Sequence, residues 1–153
     1  MDRYEPPNAF LKSLIDDDAP LSGADGESNR RRLITLMRDE DAANRDWATL
    51  LLAQQDLDTD EVRHALLAAA DDENEYVRAE AILGLAQRNK ALALPLIRRE
   101  LGRESVAVPL FEAAALVADP SLVDDLRDFT VPSDDALLDE LALKALTACE
   151  AAG

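Results

Sequence analysis

The sequence predicts an all-α chain, a right-handed α–α superhelix of about four stacked helical hairpins. Three observations predict it. Alanine and leucine far outnumber the β-branched residues, and only five glycines occur in 153 residues; unbranched side chains lose little rotamer freedom on a helix, so the bias favours helix over strand. From Ser28 onward, apolar stripes at helical spacing alternate with short polar breaks. Finally, Asp39, Asn44, Arg45 and Ala48 recur 33 residues later as Asp72, Val77, Arg78 and Ala81, and Leu50 and Leu52 recur as Leu83 and Leu85.

The elements follow in chain order. Asn8 to Ile15 reads as a short amphipathic helix with Phe10, Leu11, Leu14 and Ile15 on one side. Asp16-Asp17-Asp18-Ala19-Pro20 and Ser22 to Ser28 read as a flexible acidic linker. Residues 1–28 therefore form an N-terminal segment, either a cap over the first repeat or a swinging arm, and residues 29–153 form the repeat domain. Ser28 caps a helix to about Arg38, and Asp41 precedes a second one to about Gln54. Asp58 or Thr59 starts a third helix running to Ala70, with Glu61 reaching back, and Asn74 opens a fourth ending near Arg88. Lys90 to Leu101 follows, with Pro95 inside and Gly102 as the stop. Ser105 to Ala118, Asp119-Pro120 to about Phe129, and Asp134 to Ala148 complete the set. Helices of this length with breaks of a few residues pack antiparallel with their neighbours.

The segment Asp71-Asp72-Glu73-Asn74-Glu75-Tyr76-Val77-Arg78-Ala79-Glu80-Ala81-Ile82-Leu83-Gly84-Leu85 resembles the HEAT repeat. More narrowly, it is similar to the short bacterial type named after bilin-lyase subunits. In that family an Asp in the turn precedes Val-Arg at the start of the second helix, then a small residue and an apolar run. Leu94-Pro95-Leu96-Ile97 matches the start of a first helix there. The resemblance covers Asp39 to Leu101, extends to Asp119 and departs from the pattern beyond the second copy. There Arg103 stands where Asp is expected and Pro109 where Arg is. Asp39, Arg45, Asp72 and Arg78 read as a structural ladder. An Asp ahead of a helix meets free N–H groups and the positive dipole end. An Arg one turn in can pair with that Asp or with the next repeat's.

Composition narrows the chemistry. Sixteen Lys and Arg against 32 Asp and Glu give a net charge of −16, which repels phosphate backbones and excludes a general nucleic-acid binder. That charge opposes the basic groove of HEAT-like DNA glycosylases, and leaves an acidic DNA mimic as an alternative. One cysteine, Cys149, and one histidine, His64, exclude an internal disulfide and a His/Cys zinc site. No apolar run reaches membrane-spanning length, and the first residues lack a signal-peptide pattern, so the chain is expected in the cytoplasm. The acidic runs lack calcium-loop spacing. His64 falls on the outer side of its helix with no cleft beside it, and Cys149 sits among alanines beside Glu150. No catalytic residue, metal or cofactor is expected.

The binding reading concerns the second helix of each hairpin, which lines the concave surface in such stacks. Trp47 aligns with Glu80 and Glu112, which places it facing the groove; by helical spacing it joins Ala43, Leu50 and Leu51, which places it in the core. Both positions stay open. Asp46, Glu80, Gln87 and Glu112 join Trp47 as groove candidates, an acidic strip suited to a basic peptide or protein surface. The expected function is a non-catalytic interaction scaffold binding a protein or peptide, the acidic strip suiting a basic one. The resemblance implies an alternative, a subunit related to bilin or phycobiliprotein lyases, although no residue carries a lyase role across.

Overall fold

The computed structural model describes residues 5–16, 21 and 23–153. The acidic residues Asp17 and Asp18 of the expected linker lie outside them. Among the described residues the regular elements are all helical, and no helix is long and apolar enough to cross a membrane. Contacts divide the chain into two compact units, Met1–Gly84 and Leu85–Gly153, rather than at residue 28.

The first unit contains α1 (Ala9–Ile15), α2 (Gly23–Leu36), α3 (Ala42–Ala53), α4 (Asp60–Ala69) and most of α5 (Glu75–Arg88). Side-chain caps explain most of the starts. Asn8 accepts from the amides of Phe10 and Leu11, Asp41 from Ala43 and Asn44, Thr59 from Val62, and Asn74 from Tyr76 and Val77. Each satisfies amides that have no partner inside the helix. With Thr59 as cap, Glu61 is the second helical residue, out of register for a reciprocal capping box. The helix α2 begins at Gly23, five residues before the expected Ser28. There the Arg30 guanidinium donates to the Leu21 carbonyl at 2.7 Å, and a Cβ on Gly26 would stand 2.5 Å from the Leu21 carbonyl carbon. Glycine here permits close approach rather than flexibility.

α1 docks on α3 and buries Phe10, Leu11 and Leu14, the arrangement of a cap on the first hairpin. Asn44 ties the two together: it accepts from the Asn8 amide at 3.1 Å and donates to Asp39 at 2.9 Å. Its 33-residue counterpart is Val77, fully buried, so the polar residue occurs in the copy that receives α1. The core is drawn from Leu11, Leu33, Leu52, Val62, Leu66 and Ile82. Gly84 brings α5 onto α3 and α4, because a Cβ there would lie 2.8 Å from Ala53 Cβ and 3.3 Å from Leu66 Cδ1.

The second unit contains α6 (Lys90–Leu101), α7 (Val108–Val117), a 3-10 turn at Pro120–Leu122, α8 (Val123–Arg127) and α9 (Ala136–Ala151). Its helix α7 packs against α6 and α9, and α8 against α9. α7 begins three residues after the expected Ser105, because Pro109 has no N–H to return to the Ser105 carbonyl. At the second position of the shorter helix the missing donor costs nothing. α8 ends at Arg127, short of Phe129, and the chain leaves it through tighter bonds from the Phe129 amide to the Leu126 carbonyl and from the Thr130 amide to the Arg127 carbonyl. The core gathers Ile97, Leu110, Leu122, Leu126 and Phe111, whose ring meets Phe129 edge-on at 5.5 Å. Cys149 is buried, and that burial pushes its thiol pKa up, the opposite of a reactive thiolate. His64 is exposed on α4.

Candidate functional site

The repeat residues form a bonded frame within the first unit. Arg45 Nε donates to Asp72 Oδ2 at 3.0 Å, so the carboxylate partner of Arg45 belongs to the next copy. Its Nη1 donates to the carbonyls of Asp39 and Glu40 at 3.0 and 3.2 Å. Arg78 repeats that second contact, donating to the carbonyls of Asp72 and Glu73 at 2.9 and 3.1 Å. Asp39 accepts from the Asp41 amide and Asp72 from the Asn74 amide, again the same bond one copy later. Both arginines are largely buried, at 9% and 8% exposure, so a charge lost here would leave its partners without solvent. The Asn44 side chain, the Asp41 amide and the Arg45 charge, in that order, hold the Asp39 carboxyl below its ordinary pKa.

A cleft of about 380 Å³ lies over this frame, between Ile34, Met37 and Arg38 at the end of α2 and Ala65, Ala68 and Ala69 of α4. Arg45, Asp39 and Asp72 form its polar side. It belongs to the layer of first helices; within it Arg45 is paired with Asp72, and the Asp39 carboxylate is held by Asn44 and the Asp41 amide.

Asp46 and Trp47 stand on α3 and Glu80 on α5, all three half-buried in the first unit. Trp47 is thus neither fully core nor freely exposed, and its indole nitrogen is out of contact with solvent. Gln87 and Glu112 are exposed and belong to the second unit.

In the second unit Glu112 lines a groove of about 430 Å³ between α7 and α9, with Phe111, Ala115, Leu116, Leu141 and Lys144. Both walls are second helices of their hairpins. The apolar floor is partly open at Leu116, which is 39% exposed; beyond the lining residues, Leu137, one turn before Leu141 on α9, is 57% exposed. Sequence reading found Glu112 and missed its neighbours. A signal was present in α7, whose run Val108-Pro109-Leu110-Phe111-Glu112-Ala113-Ala114-Ala115-Leu116-Val117 is apolar nearly all round, more than a single buried face needs.

Glu100 was also missed. It is buried at 4% exposure, with Oε2 accepting from Arg99 Nε at 3.1 Å and Arg103 Nε at 2.9 Å. Arg103, which interrupts the repeat pattern, thus acts with Glu100.

These helices define an all-α protein of the α–α superhelix class. No protein-family model matches the chain. Among curated proteins it is similar to protein YibA of Escherichia coli K12 and of Escherichia coli O157:H7, 30% identical over 127 residues in each case. The match takes in 83% of this chain and 42% of YibA, so the chain spans less than half the length of these relatives. The X-ray structure of E. coli YibA superposes with a TM-score of 0.61 at 23% identity, covering 92% of this chain and 54% of that one. That likeness establishes the fold alone.

Proposed function

We propose that this chain is a non-catalytic interaction scaffold of the HEAT-repeat type, acting in the cytoplasm, whose layer of second helices receives a protein or peptide of basic character. The observation that carries the reading is the α7–α9 groove, where exposed Leu116 and half-buried Leu141 line the same cleft as acidic Glu112. Exposed apolar surface bordered by charge is where partners dock. The 33-residue recurrence of the Asp and Arg contacts supports the HEAT reading, since each copy repeats the same bonds to its turn. The net charge of −16 favours a cationic partner through steering and complementarity. Chemical crosslinking in cells followed by affinity capture tests the reading. A discrete protein partner, lost when Glu112→Lys and Leu116→Glu are combined in the groove, is the expected outcome. Capture of nothing, together with no change in hydrodynamic size on mixing with basic proteins at low salt, would sink it.

A further inference from the structure

We infer that the α7–α9 groove seats a single amphipathic α-helix of another protein, its apolar stripe on the groove floor and its basic flank against Glu112 and Glu140. This rests on the scaffold reading and names its ligand. Both walls are helices, whose backbone groups are bonded internally, so an extended peptide would find no sheet edge on which to satisfy its own amides. A helix arrives with its backbone already satisfied and offers apolar side chains at i, i+3 or i+4, and i+7. The floor offers accessible apolar positions, Ala115 and Leu116 on α7 and Leu141 on α9, and exposed Leu137 continues the α9 stripe one turn before Leu141. The small Ala115 allows close approach of the incoming helix.

Charge selects the occupant. Glu112 and Lys144 line the groove; Glu140 stands one turn before Lys144 on the same face of α9, and all three are exposed. Two carboxylates against one ammonium favour a cationic flank, and Lys144 calls for one acidic residue on the ligand, which fixes the direction in which its helix lies. A second copy of this chain carries the same net charge of −16, and the mutual repulsion disfavours association with itself.

The test uses the intact protein and three fluorescent synthetic peptides, read by anisotropy at about 0.15 M salt. One is an amphipathic Leu/Lys helix with a single Glu, one has the same composition scrambled to remove the stripe, and one is an amphipathic Leu/Glu helix. The striped Leu/Lys probe should bind at least about tenfold more tightly than the scrambled one. Leu116→Glu should weaken it about tenfold or more, and Leu137→Ser, at an exposed position that folding does not require, about three- to tenfold. Glu112→Lys should shift preference toward the Leu/Glu probe, while Glu61→Lys, at an exposed position on α4 in the first unit, should change nothing. Equal binding of the scrambled probe would reduce the effect to bulk charge and overturn the inference. Binding that ignores Leu137→Ser but fails with Glu61→Lys would overturn it and leave the scaffold reading standing. A dimer dissolved by Leu137→Ser would give the groove to a second copy and overturn it. If no probe binds while crosslinking captures a partner indifferent to Leu137→Ser, the inference falls alone; if neither detects binding, both fall.

Discussion

The two units solve one local problem in different ways. Each must hold the turn that leads into a second helix. Before α3 and α5 the turn is gripped from outside: a buried arginine one turn into the helix reaches back to two consecutive turn carbonyls, and an aspartate in the turn accepts a backbone amide. Before α7 the grip is steric. Ala107 makes no side-chain cap bond, and Pro109 at the second helical position fixes the backbone in advance. The acid of this region is instead Glu100, buried on the preceding helix with Arg99 and Arg103. An electrostatic frame concentrates its stability in a few residues, whereas a proline acts mainly by narrowing the unfolded chain. The first unit should therefore be brittle to single charge changes and the second tolerant at its turn.

Removing the centre of the frame should have the largest effect. Arg45→Ala leaves Asp72 and two turn carbonyls short of a donor at a site with little water, and should cost about 3–5 kcal/mol. Urea unfolding followed by Trp47 fluorescence measures it, and a loss below about 1 kcal/mol would make the pair a surface ornament. Glu100→Gln keeps the shape but withdraws the charge from two arginines, and about 1–3 kcal/mol is expected by the same titration followed by circular dichroism. Pro109→Ala should cost only about 0.4–1 kcal/mol; a value matching Arg45→Ala would erase the distinction between the units. The smallest effect is one of pH. The pKa of Asp39 is depressed in the folded state, so its contribution is full above the ordinary carboxylate value and is lost as pH falls through the native value. The Tm gap between the wild type and Asp39→Asn should thus be constant above about pH 5 and close in more acidic solution. A gap that widens in acid would reverse the sign assigned here.

Most of the architecture was legible because it is written in local chemistry. Asn8, Asp41, Thr59 and Asn74 cap the helices they precede, and such caps need only their own side chain and the next two or three amides. The early start of α2 was not legible, since its glycine is explained by the approach of Leu21, a contact within the folded chain. Gly84 is similar: nothing beside it in sequence discloses that Ala53 lies against its Cα. Of the proposed groove, Glu112 was found by counting along the repeat. Leu141 and Lys144 belong to a helix where the repeat has faded, and only packing brings them opposite α7. Trp47 could be placed either way by spacing, and its half-buried setting explains why both arguments had force.

The proposed division of labour, with a bonded frame in the first unit and a docking groove in the second, is tested most directly by NMR on the isotopically labelled full chain. Titration with the striped Leu/Lys helix should move the amides of Glu112 to Leu116 and of Leu137 to Lys144 most, leaving those of Asp46, Trp47 and Glu80 in place. Shifts centred on Trp47, or spread evenly over the acidic surface, would contradict it.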